Sequence, residues 1–367
     1  MANEFKRTQT YGFIRDLFAI DARALAVVRI LIAAIVFVVA IYALQEPETV
    51  ENSIRRGHWN NPNKGTLWSV YWLGHGSIWQ WFCAGINIVA SICLLVGFKT
   101  FFATAACLVL TWSFQVDNPL GSAPGYDLLR MVLFWGLFLP WGSCWSVDTS
   151  QYRDPRPAKW SVVSFGTAGI MLQLAYVYFF SGLTKLFTGW DGTSLARALR
   201  LDDWFGSSVV EQPTVLGWFI PLVLAVEILG TVLLFVPYVH QFWRGVMVAF
   251  ILVTHISIAV MFSTGIFPFV SLAVWIIFVP SLVWNMALGR PDQFEVDQLE
   301  ENPGLQRGCQ GLCLVFVLFV LALNINNILQ IGKRDDVSDS ALVMRNMANI
   351  TMTKQEFKLF ALSNQTD

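Results

Sequence analysis

Apolar runs about twenty residues long, separated by short polar gaps, constrain this chain more than any other feature. A helix of about 20 residues crosses the hydrocarbon core of a bilayer, where each backbone group must find its partner within the protein. Read in order, the runs give candidate spans at Ala24–Leu44, Ile78–Val96, Phe101–Val116, Leu128–Trp141, Val163–Leu183, Val215–Val236, Phe242–Phe262, Phe267–Trp284 and Leu312–Leu329. The count is nine, or eight if the short fourth run does not cross. The predicted fold class is therefore all-α, a polytopic transmembrane helical bundle of about 8–9 spans. Thr66–Trp72 and Ala196–Phe205 are too short or too charged to span, and the aromatics of the first suggest a helix lying in the membrane interface.

Composition narrows the partners. Of 367 residues, 55% are hydrophobic and 13% charged, against about 25% charged in a soluble domain. The first partner is thus the lipid bilayer. A net charge of -1 and the lack of a basic stripe argue against nucleic acid. Cys83, Cys93 and Cys107 lie in apolar runs, where cysteine behaves as a small hydrophobe, and Cys309 and Cys313 lack zinc-ribbon spacing. His58, His75 and His240 fall in separate loops, so no metal site is predicted. There is no phosphate loop, nucleophile elbow or His-Glu-x-x-His motif.

Four segments follow. Residues 1–22 form a cytoplasmic N-terminal segment, 23–285 the main transmembrane domain, 286–332 a loop and the last span, and 333–367 a polar tail with a helix expected at Leu342–Ala348. The first run is span-length and interrupted by Arg29, which reads as an uncleaved signal anchor. With the N-terminus inside, Lys6, Arg7, Arg15, Arg23, Lys99, Arg153, Arg156, Lys159, Arg244, Arg290 and Arg307 face inward. Arg55, Arg56, Lys64, Arg197 and Arg200 then face outward. That bias sets the N-terminus inside and the C-terminus outside, in the inner membrane if the source is bacterial and the endoplasmic reticulum if eukaryotic.

Ionisable residues inside such spans are costly and mark sites. Lys185 closes the apolar stretch Leu172–Leu186, His255 lies within Ile251–Phe262, and Glu227 within Pro221–Val236. Desolvation makes a lysine a usable base; the alternative is a lysine that snorkels from a helix end. His255 reads either as a pocket residue or as a side chain satisfied by a neighbouring helix. Asp127 and Arg130 share one helix face, as substrate contacts or as a structural ion pair. Glu227 and Arg29 each need a partner at membrane depth, and Asn87 and Gln173 read as interhelical hydrogen-bonders. In the nine-span topology Asp127, Arg130, Lys185 and His255 all fall in the outer half of the bilayer, within reach of one pocket.

Several of these pieces together resemble a known family. Asn118-Pro119, Asp127-Leu128-Leu129-Arg130, Phe134-Trp135 to Leu139-Pro140, and Trp145-Ser146-Val147-Asp148 resemble the HTTM domain, the membrane domain of vitamin K-dependent gamma-glutamyl carboxylases. Ala26-Val27-Val28-Arg29-Ile30 looks like its first span, and Glu227 falls where the family often carries a membrane glutamate. Tyr178 to Lys185 with Trp190 is similar to the carboxylase tract that ends in the proposed base, and His255 through Pro268 to a stretch with an important histidine. The resemblance implies a reduced naphthoquinone as cofactor, Lys185 as base, His255 as its partner, and Tyr178, Phe179 and Trp190 as walls around a flat ring. It departs in two places. Gly125 stands where the carboxylase has a second catalytic histidine, and the roughly 80 residues after the expected eighth span lead to the expectation that the large extramembrane domain that binds its peptide substrate is missing. Two functions remain in view: a quinone- or oxygen-dependent membrane enzyme, and a non-catalytic factor for maturation or export of a partner peptide.

Overall fold

The computed structural model describes residues 17–45, 68–74, 76–117, 124–150, 161–187, 220–236, 240–261, 265–289 and parts of 311–326. The expected segments at Ala196–Phe205 and Leu342–Ala348, the polar tail, Trp190, Cys309 and Cys313 lie outside the described residues. Helix dominates. A two-residue strand β1 (Ile20–Asp21) pairs antiparallel with β2 (Ser161–Val162), Ile20 opposite Val162, and leads into α1 (Ala22–Gln45). After it come α2 (Ser77–Val96), α3 (Thr100–Asp117), α4 (Pro124–Gly136), α5 (Phe165–Phe187), α6 (Ile220–Leu233), α7 (His240–Met261), α8 (Phe267–Trp275) and α9 (Ser281–Leu288).

Four of these helices, α1, α2, α5 and α7, are long and apolar enough to cross a membrane, and the bent pair α8–α9 makes a fifth if it counts as one span. The chain is thus a helical membrane protein, with four or five such helices among the described residues. Helices α3 and α6 are apolar but shorter. The expected span Phe267–Trp284 is not one straight helix. It bends by 93° between Phe278 and Ser281, because Pro280 has no N–H to continue the ladder. The expected fourth span begins and ends earlier than read: its helix starts at Pro124 and stops at Gly136, with turns through Trp141. The expected interfacial helix at Thr66–Trp72 is a 3-10 turn at Val70–Leu73, with Tyr71 buried and Trp68 exposed.

Helix α1 is the axis of the core. Leu25, Val28, Ile32, Ala33 and Val36 are fully buried, while Ile78, Phe82 and Val89 of α2 and Val253 and Ile256 of α7 present apolar side chains outward. An apolar exterior over an apolar core is what a lipid solvent selects. Small residues bring helices close. A Cβ at Gly169 would collide with the Trp135 ring, and that Trp135 donates its indole N–H to Gln173 Oε1 at 2.6 Å, joining α4 to α5. Gln173 is therefore the interhelical hydrogen-bonder expected. Asn87, buried on α2, is not: its Oδ1 makes no hydrogen bond.

Arginines organise the end of the bundle where α1 begins. Arg29, fully buried, finds its partners in backbone oxygen: Nη1 donates to Trp141 O (3.1 Å) and Cys144 O (3.4 Å), and Nη2 to Trp145 O (2.5 Å). Arg23 pairs with Asp21 at 2.8 Å and reaches Asn285 Oδ1 of α9 at 2.8 Å. Arg244 of α7 donates to Ala19 O at 3.2 Å and also to Leu17 O. The loop after α4 also caps α3, since the Asp148 carboxylate accepts from Lys99 N (2.7 Å) and Thr100 N (2.9 Å), orphan donors at a helix start.

Candidate active site

The opposite end gathers the remaining ionisable groups. Tyr178, Ser181, Gly182 and Lys185 are spaced three, four and seven residues apart on α5 and so share one face. Lys185 Nζ lies 2.5 Å from Glu227 Oε1, and both side chains are about nine-tenths buried. Glu227 thus has its partner at membrane depth. Its helix α6 is not regular there: Val226–Gly230 forms a π segment, a widened turn that often occurs at functional sites. The two helices come together at Gly182. A Cβ there would sit 2.7 Å from Ile228 Cγ1 and 2.9 Å from Glu227 Cβ, so any larger residue would push the carboxylate away from Lys185.

His255 belongs to the same region. Its Nδ1 lies 3.1 Å from Ile251 O and its Nε2 3.2 Å from the Tyr178 hydroxyl. A carbonyl can only accept, so Nδ1 carries the proton; Nε2 then accepts from the Tyr178 O–H. Tyr178 also sets its ring edge-on to Trp275 of α8 at 5.0 Å, and the His255 ring lies 5.5 Å from Phe267. Seven residues, about 10 Å along a helix, separate Tyr178 from Lys185. The structure therefore brings Lys185 to Glu227 and Tyr178 to His255 on one side of α5.

Asp127 and Arg130 form a buried ion pair at the start of α4. Gln115 of α3 donates to Asp127 Oδ1 at 2.6 Å, and the Arg130 guanidinium stacks over the Trp112 ring at 4.7 Å. These contacts join α4 to α3 and do not involve the Lys185–Glu227 pair. Phe179, one position on from Tyr178 and about 100° further round the helix, packs edge-on against Phe180. At Gly125 a Cβ would meet Phe267 N at 2.6 Å and Phe267 Cα at 2.8 Å. The start of α8 fills the place that a side chain would need, so an imidazole cannot stand at position 125 in this packing.

Sequence reasoning passed over Ser181, Ser271 and Trp275, all buried beside these groups. Their spacing on apolar helices was the signal available, since 181 shares a face with 178 and 185, and 271 with 275. The Lys185–Glu227 contact, across 42 residues, left no trace in any local pattern. Within the described residues Cys83, Cys93, Cys107 and Cys144 are free thiols. Burial pushes Cys144, in the loop held by Arg29, up to about 11, and the neighbouring Asp21 carboxylate pushes the same way.

A family model described as the HTTM domain matches residues 18–284. Searches of curated proteins and of solved structures returned no match. The matched stretch takes in the arginine-held end, both polar pairs and the bent helix after them, and the chain belongs to the HTTM domain family.

Proposed function

We propose that this membrane protein is an enzyme that accepts a proton from a lipid-soluble substrate at the Lys185–Glu227 pair, with His255 and Tyr178 orienting the substrate beside it. The observation that carries the reading is the 2.5 Å contact between Lys185 and Glu227 inside an apolar bundle. An ammonium and a carboxylate that close share one proton between them. Moving it to Glu227 leaves a neutral amine at Lys185 Nζ, the form that acts as a base. Surrounding apolar side chains keep out the water that would compete for that base.

The residues present suit a reduced naphthoquinone, which would supply an acidic hydroxyl and a flat apolar ring. Ser181 lies one turn before Lys185 on α5 and beside the Glu227 carboxylate, and Tyr178 and Trp275 pack edge-on against each other on the His255 side. Phe179, Asp127 and Arg130 are the further side chains proposed for the wall and mouth of the site. Peptidyl-glutamate carboxylation is not part of the proposal, because the packing of Gly125 against Phe267 leaves no room for a second histidine. In the accompanying topology the N-terminus is inside and the C-terminus outside. Nine crossings result when α3, α4, α6, the bent pair and the partly described helix at 311–326 join the four long helices.

Oxidation of a naphthohydroquinone by purified protein in detergent, with analysis for the epoxide, tests the proposal. Product from the wild type and none from Lys185→Ala is the expected result. No turnover by a folded wild type rejects the quinone chemistry. It would favour a non-catalytic role in maturing or exporting a peptide, for which the mutual pairing of Lys185 with Glu227 and His255 with Tyr178 would serve as a scaffold.

A further inference from the structure

Several hydroxyls on these helices follow one habit. Thr104, Ser113, Thr184 and Thr254 each donate to the carbonyl four residues earlier, at 2.6–2.9 Å, and each stands in regular α-helix. There the carbonyl already receives the backbone N–H of the same residue, so the hydroxyl only supplements it. Thr231 makes the same bond on a different backbone. Buried to 2% exposure, it directly follows the π segment Val226–Gly230 of α6. In i→i+5 bonding an N–H passes over the carbonyl four residues back, and for Thr231 that carbonyl belongs to Glu227. The hydroxyl stands in for the N–H: Oγ1 donates to Glu227 O at 2.7 Å and lies 3.0 Å from Ile228 O.

The widened turn is pinned on two sides. Glu227 and Ile228 lie against Gly182 of α5, and Gly230 lies against α7, where a Cβ would collide with the Met247 sulfur. Such a turn carries one residue more than an α turn. Closing it to α would rotate the chain before it by about 100° relative to the chain after it. With Gly230 seated on α7, that rotation takes the Glu227 carboxylate off the face of α5 that carries Lys185 and Ser181.

We infer that the Thr231 hydroxyl holds the turn of α6 in its widened form and thereby keeps the Glu227 carboxylate on Lys185. On the reading that this pair is the working centre, Thr231 is a positioning residue that acts through Glu227. The site then has two arrangements: paired with the turn wide, and parted with the turn regular.

Cross-linking of the full-length protein in detergent tests this directly. Dicyclohexylcarbodiimide joins an amine to a carboxylate as an amide only where the two touch, and the Lys185–Glu227 product is read by mass spectrometry. Thr231→Val, which keeps the shape and loses the hydroxyl, is expected to cut the yield about tenfold, the population shift that one hydrogen bond typically commands. Thr231→Ser should retain the yield, and so should Thr104→Val, which removes the same bond from a regular helix. Deletion of Leu229, an outward-facing residue of the widened turn, closes the turn without touching Thr231 and should abolish the product. An undiminished yield in folded Thr231→Val or in the Leu229 deletion would overturn the inference, as would an equal fall in Thr231→Ser. If that happens while the wild type shows Lys185-dependent oxidation, the proposed function stands alone. The expected yields from a wild type without turnover would uphold the inference and reject the quinone chemistry. No cross-link in the wild type would overturn both.

Discussion

Where α1 begins, Arg29 and Arg244 are held by main-chain oxygen and Arg23 by the Asp21 carboxylate; where α5 ends, Lys185 meets the Glu227 carboxylate. Arg29 and Arg244 direct their Nη groups to carbonyls of Trp141, Cys144, Trp145, Leu17 and Ala19. A guanidinium does not give up its proton and a carbonyl does not take one, so these arginine contacts have one charge state. Lys185–Glu227 and Tyr178–His255 join side chain to side chain, so either contact can be remade without moving the backbone. The contrast separates two uses of buried charge in one bundle. Arginine contacts to the main chain tie loops to helices, and it is the side-chain pairs that the proposed function uses.

The most severe way to break this comparison is at the fixed end. Arg29→Met should destabilise the protein by about 3–5 kcal/mol, because three carbonyls, two of them in buried contacts, lose their donor together. Thermal unfolding in detergent reads this, and a change below about 1 kcal/mol would mean that the loop after α4 holds without its arginine.

A smaller but more informative effect is expected at the other end. Glu227→Met or Lys185→Met alone leaves an uncompensated charge in an apolar site and should cost about 3 kcal/mol. The double substitution should recover most of that, since well-packed apolar residues often replace a buried pair without loss. Stability and quinone oxidation measured on all four proteins sharpen the contrast: recovery of folding without recovery of activity is the pattern of a pair kept for chemistry. Recovery of both would return the pair to a structural role.

The least effect belongs to Cys144, which sits among the Arg29 acceptors. Its folded pKa of about 11 lies above the ordinary thiol value, so the folded protein holds the thiol proton more tightly than the unfolded chain. Stability from this group is present below the ordinary thiol range and is lost as pH rises from about 9 towards 11. Cys144→Ser should flatten that part of the pH–stability curve, and a maleimide should label Cys144 slowly at pH 8 until the protein unfolds. Rapid labelling of the folded protein would show this end to be looser than its hydrogen bonds suggest.

Much of this architecture was legible in the sequence because lipid imposes length and composition on a helix. The positions of α1, α2, α5 and α7 followed from their apolar runs to within a few residues. Local motifs did as well where the interaction is local, as for Asp127 and Arg130 three residues apart. The resemblance marked Arg29 and Trp145–Asp148 as important without saying why. They prove to meet where the loop after α4 returns to α1, with Arg29 and Trp145 116 residues apart in sequence. Illegible features were those decided by packing between distant helices. Hydropathy cannot distinguish a straight span from one bent by 93° at Pro280, nor choose Lys185 over Arg130 as the partner of Glu227. The widened turn at Val226–Gly230 and the close approach at Gly182 depend on how α5 meets α6.

The contact between Gly125 and the first residue of α8 has a bearing on descent. A single codon change at position 125 cannot restore a histidine there, because even a methyl group collides with the backbone of Phe267. The start of α8 would have to retreat first, carrying with it the phenyl ring that lies against His255. Such a step would disturb the surroundings of His255 at the same time. The packing therefore couples position 125 to His255 through Phe267, so that neither can change its size independently of the other.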